Sequence, residues 1–312
     1  MLIISFRYQK LSANFQKGVK AMFRTVAELV EIAEKENILI SEVMIRQEMD
    51  VQEKSRDDVF AEMEKNLQVM ERAIDDALKG VESVTGLTGG DAVRIQTYMK
   101  EKTPLSGHLL LDAVSKAMGT NEVNAAMGII CATPTAGSAG CVPGTLFAVK
   151  NQLNPTREQM IRYLFTAGAF GFVVANNAFI SGAAGGCQAE VGSAGAMASA
   201  AIVEMAGGTP QQSAEAFAIT LKNMLGLVCD PVAGLVEVPC VKRNAAGSSL
   251  AIVSADMALA GVTSKIPCDE VIGAMYRIGK QMPSSLRETG EGGLADTPTG
   301  RLLKEKIFGI SV

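Results

Sequence analysis

Between Ser55 and Gly80 apolar residues return every three or four positions, at Val59, Phe60, Met63, Leu67, Met70, Ile74 and Leu78. That period places them on one face of a helix, with the charged residues on the other. Ser55 followed by Asp58 marks its start, Gly80 its end, and Thr25 with Glu28 opens an earlier helix as a capping box. Asn154 before Pro155, and Thr209 before Pro210 with Gln212, signal two more starts through the preference for proline in the first turn. The same grammar predicts helices near 25–36, 55–79, 91–101, 107–118, 157–178, 188–206, 210–226, 243–261, 268–281 and 299–306. Alternating apolar–polar runs of strand type are nearly absent, so the predicted fold is all-α.

The pattern changes character beyond the glycine-rich stretch at 80–90. The N-terminal region is acidic and amphipathic, whereas from Tyr163 to Val203 the only charged residue is Glu190. This run is built from alanine and glycine rather than a sustained Leu/Ile/Val block, and it lacks flanking aromatic belts. It therefore reads as buried helices packed closely in a water-soluble protein, not as a membrane span. A two-helix hairpin cannot bury its own stripe, so the 80–90 stretch reads as a loop inside one domain, 22–312. Residues 1–21 carry Arg7, Lys10, Lys17 and Lys20 with no acidic residue. They are expected to be an extension outside the fold, from an upstream start or as a basic linker.

Composition narrows the function classes. The 312 residues are 48% hydrophobic and 20% charged, with a net charge of −4, which offers no footprint for nucleic acid. Sixteen methionines and no tryptophan imply a core of small and flexible side chains. Six cysteines are too sparse for a disulfide scaffold, and the opening MLIISFRYQK has the wrong order and length for a secretory signal, so a cytoplasmic location is expected. TGLTGGDAV lacks the spacing and the preceding strand of a dinucleotide loop, and no GxxxxGK[ST] occurs, so no nucleotide is expected.

The sharpest chemical signal is Cys187 in SGAAGGCQAEVG, with Cys229 and Cys240 at either end of CDPVAGLVEVPC. Glycine and proline turns around them can aim three thiolates at one point. Three thiolates, rather than the four of a saturated electron-transfer cluster, would leave one iron of an iron–sulfur cluster open for chemistry. The plain alternative is three buried cysteines acting as small hydrophobes. Glu190, three residues after Cys187, could orient a ligand or contact substrate, or it could be a buried carboxylate paired with Lys242 or Arg243. TPTAGSAG, with its hydroxyls and turn N–H groups, suits either a carboxylate or a tight structural turn. No Ser-x-Lys anchor with a glycine phosphate loop is present, so pyridoxal phosphate is not expected.

Four segments carry a resemblance: ATPTAGSAG (132–140), GGCQAEVG (185–192), LGLVCDPVAGLVEVPCVKRNAAG (225–247) and LRETGEGGLADTPTGR (286–301). From about Met22 onward the chain resembles the alpha chain of the iron–sulfur-dependent L-serine dehydratases. The resemblance implies a 4Fe–4S cluster on Cys187, Cys229 and Cys240, and deamination of L-serine to pyruvate and ammonia in amino-acid degradation and gluconeogenesis. It also implies a beta-chain partner, and it points to Thr133, Thr135, Ser138, Ala139, Arg243 and Asn244 as substrate-binding. The family's beta chain carries a Ser-Ser-His-Thr element that this sequence lacks, which favours a base from the partner over His108, the sole histidine. Self-association is an additional expectation. Single-chain members can end in a cysteine that plugs the open iron, but this chain ends IFGISV. Cys131 and Cys141 flank the TPTAGSAG turn and could lie near the cluster, whereas Cys268 reads as structural. Two other readings stay open: a lyase acting on another β-hydroxy amino acid such as threonine, and a non-enzymatic helical module.

Overall fold

A computed structural model of the chain describes residues 3–5 and 21–309. It is all-α as expected, with thirteen α-helices among the described residues and a single pair of three-residue strands. Strand β1 (Ile3–Ser5) runs parallel to β2 (Ile130–Ala132), Ile3 beside Ile130 and Ser5 beside Ala132. Three of the first 21 residues thus pair with the body of the chain. Residues 1–2, 6–20 and 310–312 lie outside the described residues.

The amphipathic start forms α1 (Val26–Glu36), α2 (Ile40–Gln52) and α3 (Arg56–Lys79). Thr25 and Ser55 cap α1 and α3 through their side chains, as their positions predict. Arg157 at the start of α7 (Arg157–Asn177) ties that helix to α3, with Nη2 2.7 Å from Glu64 and 2.9 Å from Glu71. The bidentate fork fixes the angle between the two helices more firmly than a lysine would.

Three helices begin beneath a carboxylate from elsewhere in the chain. Asp269 accepts from the N–H groups of Val26 and Ala27 at 2.9 and 3.0 Å. Glu204 accepts from Ser41 N–H in the first turn of α2, and Glu122 accepts from Asp91 N–H at 2.8 Å at the start of α4 (Asp91–Glu101). Each carboxylate satisfies orphan donors and meets the positive end of a helix dipole. Neither α2 nor α4 has a side-chain cap of its own, so these distant acids supply the missing acceptor.

The centre is made of α6 (Cys141–Leu153), α7, α9 (Ser193–Met205), α10 (Pro210–Lys222) and α11 (Cys240–Leu259). Every residue of α9 from Ser193 to Val203 is buried, and its alanine, serine and glycine surface packs against α6, α7, α10 and α11. A helix apolar all round belongs inside. Small residues set how near the backbones come: a Cβ at Gly195 would stand 2.9 Å from the Gly247 carbonyl oxygen. Among the described residues no helix is long and apolar enough to cross a membrane.

Several predicted boundaries need correction. Helices α2 and α6 are unanticipated; both begin without a side-chain cap, and α6 carries Pro143 and Gly144 in its opening turn, where proline is tolerated. Helix α5 (His108–Ala125) runs seven residues past the predicted end. Gly119 permits this, because a Cβ there would meet Ala77 at 2.6 Å. Asn154 ends α6 in a left-handed conformation, and Thr156, beyond Pro155, caps α7. The predicted helix 188–206 opens as a π-helical turn, Gln188–Gly192, before α9, and α11 starts at Cys240 rather than 243.

Candidate metal centre

Cys187 sits between the short helix α8 (Gly182–Gly185) and the π-helical turn at 188–192. Such turns often mark functional sites, because the extra residue redirects the side chains around it. Gln188 locks the turn from inside. Fully buried, it donates to the Gly185 and Met275 carbonyls at 2.9 and 3.1 Å and accepts from Gly226 N–H at 2.9 Å, while its own N–H donates to Leu227. The segment leading to Cys229 is thereby held against the Cys187 turn.

Cys229 is fixed by a parallel bridge: its N–H donates to the Leu286 carbonyl at 2.9 Å, and Glu288 N–H donates to the Cys229 carbonyl at 2.7 Å. Asp230 anchors the next step, accepting from Arg243 Nη2 at 2.8 Å and from Leu294 N–H at 2.7 Å. Cys240 is the first residue of α11, where the dipole favours a thiolate. Arg243, one turn along α11, gives a second hydrogen bond to the Val228 carbonyl. All three thiols are buried, and none of the six cysteines is in a disulfide.

The acids complete the centre. Glu190 accepts from Thr135 Oγ1 at 2.7 Å and lies 3.9 Å from Cys229 Sγ. Glu190, Cys229 and Glu288 each present a ligand atom, all within 4.8 Å of one another. Gly182 makes room for this crowding: a Cβ there would stand 2.6 Å from Cys229 Sγ and 2.7 Å from Glu190 Oε2. Burial, with a contribution from Glu288, lifts the Glu190 carboxyl to about 7, while the Thr135 hydroxyl pulls the other way. Burial and then the Glu190 charge push the Cys187 thiol up to about 12. The Cys229 and Cys240 thiols are pushed up further by burial and by the same negative neighbours. Arg243 lowers the Cys187 and Cys240 thiols but does not offset burial and the acids, and such a set of thiols and carboxylates fits a cationic group, which would turn each of these costs into ligation.

The TPTAGSAG turn lies beside the acids. Ser138 Oγ donates to the Thr133 carbonyl at 3.0 Å and lies 3.2 Å from Thr135 Oγ1. Thr133 and Ala139 are buried within the same turn, with the Thr133 hydroxyl 3.5 Å from the Ala139 carbonyl. Asn244 spends its amide inside the protein: it donates to Gly137 and Cys240 carbonyls at 2.8 and 3.0 Å and accepts from Gly140 N–H. It staples α11 to the turn. Of the sequence candidates, Cys187, Cys229, Cys240, Glu190, Thr135, Ser138, Arg243 and Asn244 meet in one region.

His108 does not join them. It is exposed at the first residue of α5. Asn121, which donates to the Gly137 carbonyl, is thirteen residues further on, about 20 Å along the axis at 1.5 Å per residue. Glu190 pairs with neither Lys242 nor Arg243: Lys242 is bound to Asp91, and Arg243 to Asp230. Two contributors escaped the sequence reading, Glu288 and Gln188. For Glu288 a signal existed, an acid in the glycine-punctuated phrase RETGEGG that also carries the family resemblance.

The family model described as serine dehydratase alpha chain matches residues 35–295. The chain is 75% identical over 288 residues, 92% of its length, to a probable L-serine dehydratase alpha chain of Bacillus subtilis, covering 96% of that relative. It is 40% identical over 288 residues, again 92% of its length, to the L-serine dehydratase alpha chain of Peptoniphilus asaccharolyticus, covering 99% of it. It is also 36% identical to an L-serine dehydratase of Streptomyces coelicolor over 89% of its own length but only 61% of that longer relative. With Cys187, Cys229 and Cys240 in one buried region and these similarities along most of its length, the chain belongs to the serine dehydratase alpha-chain family, a family of lyases.

Proposed function

We propose that this chain, with residues 22–312 as one helical domain, deaminates L-serine to pyruvate and ammonia at a 4Fe–4S cluster held by Cys187, Cys229 and Cys240. The observation that carries the reading is the burial of these three thiols in one acidic centre without disulfide partners. Bound there, a cluster with one iron free of protein ligands supplies Lewis acidity for the departing hydroxyl.

The chain's own residues would orient and enclose. The turn from Thr133 to Ala139 holds the substrate's carboxylate end, with Glu190 fixing the Thr135 hydroxyl. Asn244 keeps that turn against α11, and the Arg243–Asp230 pair keeps the Cys229 loop in place. Loss of the α-proton and of the β-hydroxide leaves aminoacrylate, which tautomerises and hydrolyses in water to pyruvate and ammonium. The general base comes from the beta chain. The distance of His108 from the centre supports this, and so does the additional length of the Streptomyces coelicolor relative. Six cysteines outside any disulfide fit the reducing cytoplasm.

Anaerobic reconstitution with iron and sulfide, with and without the beta chain, tests the reading. The complex should show an iron–sulfur absorption band and release pyruvate from L-serine faster than it releases 2-oxobutyrate from L-threonine. Full activity in iron-free protein would contradict it.

A further inference from the structure

We infer that Arg287 is the cation that receives the carboxylate of the substrate. Arg287 is the residue that pairs with Cys229 in the parallel bridge. Bridged neighbours in a ladder start their side chains on the same face, so the Arg287 side chain leaves the backbone beside that of Cys229. Glu288 follows in the left-handed conformation, at φ 63°, which breaks the alternation of a strand and lets its carboxylate reach the centre as well.

The guanidinium is uncommitted. Its Nε is buried and without a hydrogen-bond partner, and it forms no ion pair among the described residues. Leaving a buried donor of a charged group unmade is costly, so its persistence here points to a ligand. The other cations nearby are engaged, Arg243 with Asp230 and Lys242 with Asp91. Around them stand Glu190, Glu288 and three buried cysteines. A zwitterionic amino acid entering so negative a centre needs a positive partner for its carboxylate, and a planar guanidinium offers two parallel donors to the two oxygens. The hydroxyl-bearing turn at Thr135 and Ser138 then orients the carboxylate while Arg287 supplies the charge.

This inference rests on the serine-deaminating reading, and its test separates the two. Arg287→Gln, Arg287→Lys and Arg287→Ala would be prepared in the reconstituted complex with the beta chain, and iron content, KM and kcat for L-serine measured on each. For Arg287→Gln, KM should rise about tenfold or more with iron retained, the size expected for losing one charge-assisted hydrogen bond, and the change in kcat should be smaller. Arg287→Lys should fall between Arg287→Gln and the unaltered complex, and added guanidinium ion should partly restore Arg287→Ala, which a merely structural role would not allow. An unchanged KM in Arg287→Gln, or loss of iron in all three variants, overturns the inference and leaves the serine-deaminating reading standing. An unaltered, iron-loaded complex that makes no pyruvate from L-serine brings both down.

Discussion

The helices α1–α3 and the centre formed by α8–α11 are stabilised by different means. The N-terminal helices follow the period of their sequence: Leu29, Val43, Leu67 and Met70 face inward, and charged residues face out or form pairs such as Arg56 with Glu42 at 2.8 Å. The centre has no polar face to read. It relies on glycines that permit close approach, on buried amides such as Gln188 and Asn244, and on contacts between segments far apart in sequence. Amphipathic periodicity builds a scaffold that tolerates surface change. Close packing of small residues builds a site that tolerates almost none.

The contrast can be broken most severely in the scaffold core. Leu67 is fully buried, and Leu67→Ala should cost about 2–5 kcal/mol in denaturant unfolding while iron bound per folded molecule stays unchanged. Gly182→Ala should behave in the opposite way. Its Cβ would push on Cys229 Sγ and Glu190, so stability should fall by about 1–3 kcal/mol but iron loading should be largely lost. A Gly182→Ala protein with full iron content would dissolve the distinction between the two regions.

The junction between them gives a pH test. Burial raises the carboxyl of Glu204, which accepts from Ser41 N–H and from Thr166 Oγ1 at 2.6 Å. A carboxyl raised on folding contributes stability that is complete below its unfolded value and is lost as pH rises through the folded one. As pH rises above the ordinary carboxyl value of 4.5, Glu204→Gln should therefore lose less stability than the unaltered protein, read as the difference in unfolding midpoints. A steeper loss in the variant would reverse the assignment. Smallest of all, Glu31→Ala on the exposed face of α1 should shift stability by less than about 0.5 kcal/mol.

How far the fold could be read from sequence depends on whether a helix keeps its cap and stripe within its own segment. Helices α1, α3 and α10 do, in Thr25, Ser55, the stripe from Val59 to Leu78, and Thr209 with Pro210. Helix α2 carries none, because its cap is Glu204, 163 residues away. That the cysteine trio and Glu190 lie in one buried region was legible from residue type and setting. The partners of Glu190 were not: Thr135 lies 55 residues before it and Cys229 39 after, and only the folded chain brings them together. The π-helical turn escaped because the residues from Gln188 to Gly192 read equally well as an ordinary helical turn.

The central claim is that Cys187, Cys229 and Cys240 form one metal-binding unit while the remaining buried cysteines serve packing. Iron and sulfide content after anaerobic reconstitution tests it most directly, measured on Cys187→Ser, Cys229→Ser, Cys240→Ser and Cys268→Ser with circular dichroism on each. Cys268 is as buried as the others but lies at the start of α12 (Cys268–Gln281), beside Asp269 and α1. The account predicts loss of iron and sulfide in the first three with helical content intact, and full loading in Cys268→Ser. Normal iron and sulfide in a folded variant of any of the first three would contradict it.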